Sequence, residues 1–508
     1  MGINRRDWLA ATGACLASPR SREDPGNGGS SIPDRLRNVL VIVGDDHAAH
    51  ALGCYGNPIA RTPNLDRLAR QGIRMDRAFA NSPVCTPSRQ SLLTGLYPHR
   101  VGVTLLETAL AESTVTLADR LSARGYRTAA IGKMHFNSRL RHGFEEHLDL
   151  PDYREQLRRR PPRRPPAGLP VRPPWKPFQD PARVWLNAEV RCGGLYEQDM
   201  DGRFFVEKAR DFLRAQKEQP FCLWVGFNQP HSPLDFPVEW SGRFRPQDMP
   251  LPKVGPEDAR WIPRVFRDLT DADRRGITAA YHTASAYLDF CVGEILGELH
   301  RLGLDRSTLV VYLGDNGYQL GHHGRFEKHT MWEEAVRVPL ILRDPMAKKR
   351  AQVVSEPVEL ADVVPTILDL LGQPPLPEQH GRSLAPLWRG GAWQPRDFVF
   401  SEFLPDNLVM ARTREWKYTF TGGRHDLAMG YATGEGPSGP FHRLYDLRED
   451  PREFRNRAAD PSCRAIREEL QGRLLDLFRR TDPRASALSK DLPPEEQLAR
   501  FSEPPERK

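Results

Sequence analysis

The chain has 508 residues, of which 39% are hydrophobic and 27% charged, with a formal net charge of +7. That length exceeds what one core organises, so two domains with tails are expected; no run approaches the ~18 apolar residues of a membrane span, which excludes an integral membrane protein. The positive balance is an arginine excess that suits an acidic substrate better than a nucleic acid, and seven scattered cysteines without a Cys-x-x-Cys exclude a disulfide framework and a structural zinc site.

The N-terminus, MGINRRDWLAATGACLAS, sets Arg5-Arg6 ahead of Trp8-Leu9 and a short apolar stretch, the pattern of a twin-arginine export signal. Residues 1–30 are expected to be signal and linker for a periplasmic or otherwise extracytoplasmic protein; the alternative is a disordered basic N-terminus on a cytoplasmic one. After a Gly/Ser/Pro-rich joint, NVLVIV (38–43) reads as a buried strand ended by Gly44-Asp45-Asp46. Helical patterns follow in TPNLDRLARQG (62–72) and STVTLADRLSARG (113–125), and the strand YRTAAIG (126–132) then runs into Lys133-Met134-His135. The Pro/Arg-rich run 157–177 is expected to form neither helix nor central strand; it reads as a surface insertion, either a mobile loop or a rim for an anionic substrate. FCLWVGF (221–227) runs into Asn228-Gln229-Pro230-His231. The span 284–303 is helical, STLVVYLG (307–314) runs into Asp315-Asn316, and VPLILRD (338–344) is a further strand.

Continuous apolar strands alternating with helices imply an α/β domain over 36–395, built on a large, mainly parallel sheet sandwiched by helices. Ligands of such sheets bind beyond the carboxyl ends of the strands, where these polar clusters fall. From 396 the texture changes. DFVFSEF, NLVMARTREWKYTF and HRLYDLRED suggest short antiparallel strands, and 462–481 is an amphipathic helix. A smaller C-terminal α+β domain is expected over 396–485, with 486–508 a flexible charged tail.

Asp45, Asp46, Asp315 and Asn316 offer only oxygen donors, so if they converge they suit a hard cation, Ca²⁺ or Mg²⁺; adjacent acids at a strand end are also ordinary helix caps and turn formers. Cys85 precedes a helical TPSRQSLLTG with Pro87 in its first turn, and Arg89, four residues on, faces the same side. The positive end of that helix favours an anion at position 85. Cys222 and Cys291, in apolar runs, read as core, and Cys54 as structural.

Cys85-Thr86-Pro87-Ser88-Arg89, followed by Thr94-Gly95, resembles the sulfatase signature Cys-x-Pro-x-Arg. The resemblance extends through NVLVIVGDD, LGCYGNPIARTPNLDRLARQGIRM, IGKMH, NQPHSP, LGDNGYQLGHHGRFEKHTMWEEAVRVPLIL and LYDLREDPREFRN, and so covers most of the chain. It implies the formylglycine-dependent sulfatases of the alkaline-phosphatase-like superfamily, in which a formylglycine-generating enzyme converts the cysteine to an aldehyde that hydrates to a geminal diol. By that resemblance Asp45, Asp46, Asp315, Asn316 and modified residue 85 hold one divalent cation, Ca²⁺ ahead of Mg²⁺. Arg89 stabilises the diol, and His135 hydrogen-bonds its second hydroxyl. Lys133, His231 and Lys328 contact sulfate, and Asp315 serves as base; the proton for the leaving oxygen comes from His231 or Lys328. His323, Arg325 or His329 could exchange roles with Lys328. His322 stands where related sequences often carry Glu.

The expected activity is hydrolysis of a sulfate ester, on a sulfated carbohydrate or other small molecule. Its alternatives are a phosphonate monoester or phosphodiester hydrolase on the same scaffold, and a non-catalytic sulfoglycan-binding protein with an unmodified thiol. Loops 136–200, 232–275 and 402–440 are expected to select the substrate. Trp175, Trp185, Trp240 and Trp261 are either sugar platforms or packing anchors.

Overall fold

Val39, Leu40, Val41, Ile42 and Val43 have no solvent exposure, so their strand has no wet face and must lie inside a sheet covered on both sides. The computed structural model describes residues 36–163, 194–215, 219–423, 437 and 439–506. The expected export signal, Trp175, Trp185 and most of the Pro/Arg-rich insertion lie outside them.

The strands of the large sheet are β1 (Asn38–Asp45), β2 (Ile73–Phe79), β3 (Arg127–Gly132), β4 (Glu146–Leu148), β5 (Phe221–Pro230), β6 (Thr308–Gly314), β7 (Arg337–Arg343), β8 (Gln352–Val354) and β9 (Val358–Glu359). Their order is β4-β3-β5-β1-β6-β7-β2-β8, with β9 also beside β2. From β4 to β6 all pairs are parallel. β7 runs antiparallel to both β6 and β2, so the strand expected at 338–344 points away from the carboxyl edge rather than toward it. An apolar run reports burial and carries no direction. The sheet is nonetheless mainly parallel, as expected.

Alternation along β1 feeds two cores. Leu40 and Ile42 pack with residues of the helices Pro63–Gln71, Asp201–Ala215 and Asp271–Arg301. Val39, Val41 and Val43 pack with Leu117 and Leu121 of the helix Leu117–Ser122, with Ile367 of Val363–Leu370 and with Leu92 and Leu93. Among the described residues no helix is long and apolar enough to cross a membrane.

The C-terminal region forms the expected antiparallel sheet, β10 (Val399–Phe403), β11 (Leu408–Arg412), β12 (Trp416–Thr421) and β13 (Phe441–Asp446), under the helix Arg464–Thr481. It is tied to the large sheet: Glu402 N–H donates to the Asn81 carbonyl (3.0 Å), and the buried His99 meets the Glu402 carboxylate (3.0 Å).

Two expectations fail. The expected tail 486–508 is not free over its described residues, 486–506, because its helix Pro494–Phe501 buries Leu498 and stacks Phe501 on Phe478 (centroids 5.2 Å). A charged average concealed two apolar anchors one turn apart. The run from 157 is helical at its start, since Leu150–Arg159 is a helix capped by Asp149 that stops before Pro161-Pro162; a proline acts on the turn before it, and Arg160, which precedes the pair, has already left the helical region (φ −131°).

Candidate active site

Four parallel strands end within reach of one another. β1 delivers Asp45 and Asp46, β3 leads to Lys133 and His135, β5 to His231, and β6 to Asp315 and Asn316. Asp46 turns sharply out of β1 with φ 58°. The Tyr281 hydroxyl, from the long helix Asp271–Arg301, fixes that turn: it donates to the Asp46 carbonyl and accepts from Ala48 N–H (3.0 Å). Gly226 of β5 is required for close approach, since a Cβ there would stand 2.2 Å from the Lys133 carbonyl.

Cys85 opens the helix Cys85–Thr94, every residue of which is buried. Its Sγ lies 2.9 Å from Lys328 Nζ and 3.8 Å from Asp46 Oδ1. One turn on, Arg89 binds three strand ends at once: Nε donates to Asp315 Oδ2 (2.7 Å), Nη1 donates to the Lys133 carbonyl, and Nη2 lies 3.6 Å from Asp45 Oδ1. Ser88 Oγ donates to the Asp315 carbonyl. Lys133 donates to Asp45 Oδ2, Lys328 to Asp46 Oδ1 (2.6 Å), and His231 Nε2 is 3.7 Å from Asp46 Oδ2. Asn316 Nδ2 donates to Asp46 Oδ1 (2.8 Å), and Asp46 N–H to Asp315 Oδ1 (3.0 Å). His135 meets Thr86 through Nδ1 (3.1 Å).

Burial alone would raise the Asp45 carboxyl, but Lys133, His231 and Arg89 hold it well below the usual carboxylate range. Asp315 goes the other way. Burial, together with Asp45 and Asp46 and against the pull of Arg89, pushes it up to about 6. Both lysines are buried, yet Asp45 raises Lys133 and Asp46 raises Lys328, so both stay charged. Burial and the neighbouring cations Lys133 and Arg89 keep His135 neutral, and burial outweighs Asp46 to lower His231. Burial pushes the Cys85 thiol up, so unaltered it is neither a thiolate nor a ready nucleophile.

These residues fit a divalent cation. Asp45 Oδ1 and Asn316 Oδ1 are buried without a hydrogen-bond donor, and ligand atoms of Asp45, Asp46, Cys85 and His231 all lie within 4.8 Å of one another. The oxygen-rich set is hard in character.

The structure thus gathers every expected site residue. It also separates Lys328 from its neighbours: His323 pairs with Asp258 (2.7 Å), Arg325 with Glu327, and His329 stacks on Phe403 (5.2 Å). His322 packs against His50 (centroids 4.7 Å). Trp240 packs on Tyr287 and Phe290, an anchor rather than a platform. Sequence reasoning missed Thr86, Ser88 and Tyr281. The first two sit inside the signature and could have been questioned there, whereas Tyr281 lies mid-helix with nothing to mark it.

The family model "Sulfatase" matches residues 37–373, and "N-sulphoglucosamine sulphohydrolase, C-terminal" matches residues 321–480. The chain is 30% identical to steryl-sulfatase of Mus musculus, over 77% of this chain and 71% of that protein. It is 25% identical to N-acetylglucosamine-6-O-sulfatase of Bacteroides thetaiotaomicron, over 82% of each. Among solved structures, the phosphonate monoester hydrolase of Agrobacterium radiobacter superposes with a TM-score of 0.74 at 24% identity, over 89% of this chain and 97% of that one.

Proposed function

Because the chain belongs to the sulfatase family and is a sulfuric ester hydrolase, we propose that it desulfates a sulfated carbohydrate through a formylglycine hydrate derived from Cys85, which attacks sulfur and then eliminates sulfate. The observation that carries this reading is the setting of Cys85. It stands at a helix N-terminus inside Cys-Thr-Pro-Ser-Arg, 2.9 Å from one charged lysine and against a cluster of carboxylates. The carbohydrate class is supported by the N-acetylglucosamine-6-O-sulfatase relative.

Asp45, Asp46, Asp315, Asn316 and residue 85 would hold Ca²⁺, or less favourably Mg²⁺, which when bound polarises an oxygen of the sulfate and lowers the pKa of the attacking hydroxyl. Lys133, His231 and Lys328 bind sulfate oxygens and offset charge that grows on them in the transition state. Arg89 orients residue 85 and Asp315 together. Asp315 is the base for the first hydroxyl, His135 accepts the proton of the second, and His231 or Lys328 protonates the departing alcohol. A serine at 85 could perform the attack but has no second hydroxyl with which to expel sulfate. Maturation by a formylglycine-generating enzyme and export by the twin-arginine-like N-terminus belong to the same proposal.

The test is peptide mass spectrometry of residue 85, joined to a desulfation screen over defined sulfated mono- and oligosaccharides. A thiol that alkylates in protein from a host with the modifying enzyme removes the mechanism. Faster turnover of nitrophenyl phosphonates than of nitrophenyl sulfate would replace the substrate class with the phosphonate alternative.

A further inference from the structure

Thr86, one residue past Cys85, has no exposure to solvent. Its Oγ1 lies 2.7 Å from the carbonyl oxygen of Leu106 and 3.1 Å from His135 Nδ1. A hydroxyl has one proton, and a carbonyl can only accept. The proton therefore points at Leu106, and the face turned to His135 holds lone pairs alone. Nδ1 must then carry the imidazole hydrogen, which leaves the lone pair on Nε2. The backbone that carries the ring is held as well: His135 sits at φ 57°, and Gln90 Nε2, from the same helix, donates to the carbonyls of His135 (2.9 Å) and Met134 (3.2 Å).

We propose that Thr86 is a positioning residue that fixes His135 in the Nδ1–H tautomer, so that Nε2 is the nitrogen able to take a proton during sulfate release. This rests on the reading of residue 85 as a geminal diol. In that step the O–H bond of the free hydroxyl breaks and its proton goes to Nε2. The electron pair left on oxygen closes the C=O bond, and the C–O bond to sulfate breaks with its pair leaving on sulfate. The opposite tautomer would present an N–H to the same hydroxyl and accept nothing.

The experiment compares wild type, T86V, T86S, H135A and T86V/H135A. Each is first checked by peptide mass for the state of residue 85, because Thr86 adjoins it. T86V should lower kcat by about a hundredfold, the low end of the roughly 10²–10⁴-fold that general-base catalysis contributes, and should accumulate protein carrying covalent sulfate. T86S should restore turnover. In the H135A background T86V should cost nothing more. Nitrogen-15 spectra of histidine-labelled resting enzyme should show a bare Nε2 at His135, assigned against H135A, and a mixed tautomer in T86V. Equal losses from T86V with and without His135, or an unchanged tautomer in T86V, would overturn the proposal. An unmodified thiol in the wild type overturns the diol reading itself, a failure that the mass measurement separates from the other two.

Discussion

Arg89 is the residue through which the strand ends are joined, and its replacement can be worked out in advance. It is 4% exposed and Asp315 is not exposed at all. R89A would leave a buried carboxylate without its partner, at a cost of about 3–5 kcal/mol. The unit spanning residues 35–508 unfolds with an entropy near 1 kcal/mol per degree, taking about 2.1 cal/mol/K per residue. The melting midpoint should therefore fall by about 3–5 °C. R89K isolates geometry from charge. An ammonium can satisfy Asp315 or reach for the Lys133 carbonyl, but it lacks the fork that does both. One lost charge-assisted hydrogen bond is worth about 1.5–3 kcal/mol, so kcat/KM should drop roughly ten- to 150-fold with a smaller change in melting. Scanning calorimetry in calcium-saturated buffer and steady-state turnover of nitrophenyl sulfate provide the two readings. An R89K protein with wild-type kcat/KM would show that the fork is not what aligns residue 85 with Asp315.

Three further outcomes follow from the geometry. Burial depresses His323, but Asp258 and Glu334 outweigh it and raise it to about 9; its contribution is complete below pH 6.5 and lost as pH rises through 9, so H323Q should be less stable than wild type by up to about 3 kcal/mol at pH 6 and converge with it above pH 9. A constant offset across that range would sink the assignment. F501A should cost about 3–5 kcal/mol by the same calorimetry, whereas an unchanged midpoint would return 486–508 to the status of a loose tail. Chelation should abolish turnover and calcium should restore it, and D45N should weaken calcium binding at least about tenfold by titration calorimetry; calcium affinity untouched by D45N would remove Asp45 from the ligand set.

What the sequence disclosed and what it withheld divide along physical lines. The segments at 38–43, 126–132, 221–227 and 307–314 were legible because strands buried on both faces are apolar without interruption, and their polar sequels marked the carboxyl edge. β2, reading IRMDRAF, was not found: Arg74, Asp76 and Arg77 break its apolar run, and Arg74 and Asp76 satisfy each other at 2.7 Å. The long helix begins at Asp271 rather than 284, because its opening residues 271–276 are mostly polar and unburied and the following Ile277–Thr283 are all buried, so neither stretch shows a single apolar stripe. At the site, residue types and strand ends located the acids, lysines and histidines. The joints between them, Arg89 to the Lys133 carbonyl or Ser88 to the Asp315 carbonyl, are contacts to backbone and leave no trace in side-chain pattern.

The complete enclosure of Cys85 has a bearing on how the protein is made. If Cys85 is converted to formylglycine as proposed, an enzyme that grips the segment around a sulfur without solvent exposure would have to meet the nascent or unfolded polypeptide. On that reading conversion and folding would run as a race, and molecules that close early would keep the thiol. A preparation from rapid synthesis would then hold two populations differing by one side chain, told apart by the mass of the peptide that carries residue 85.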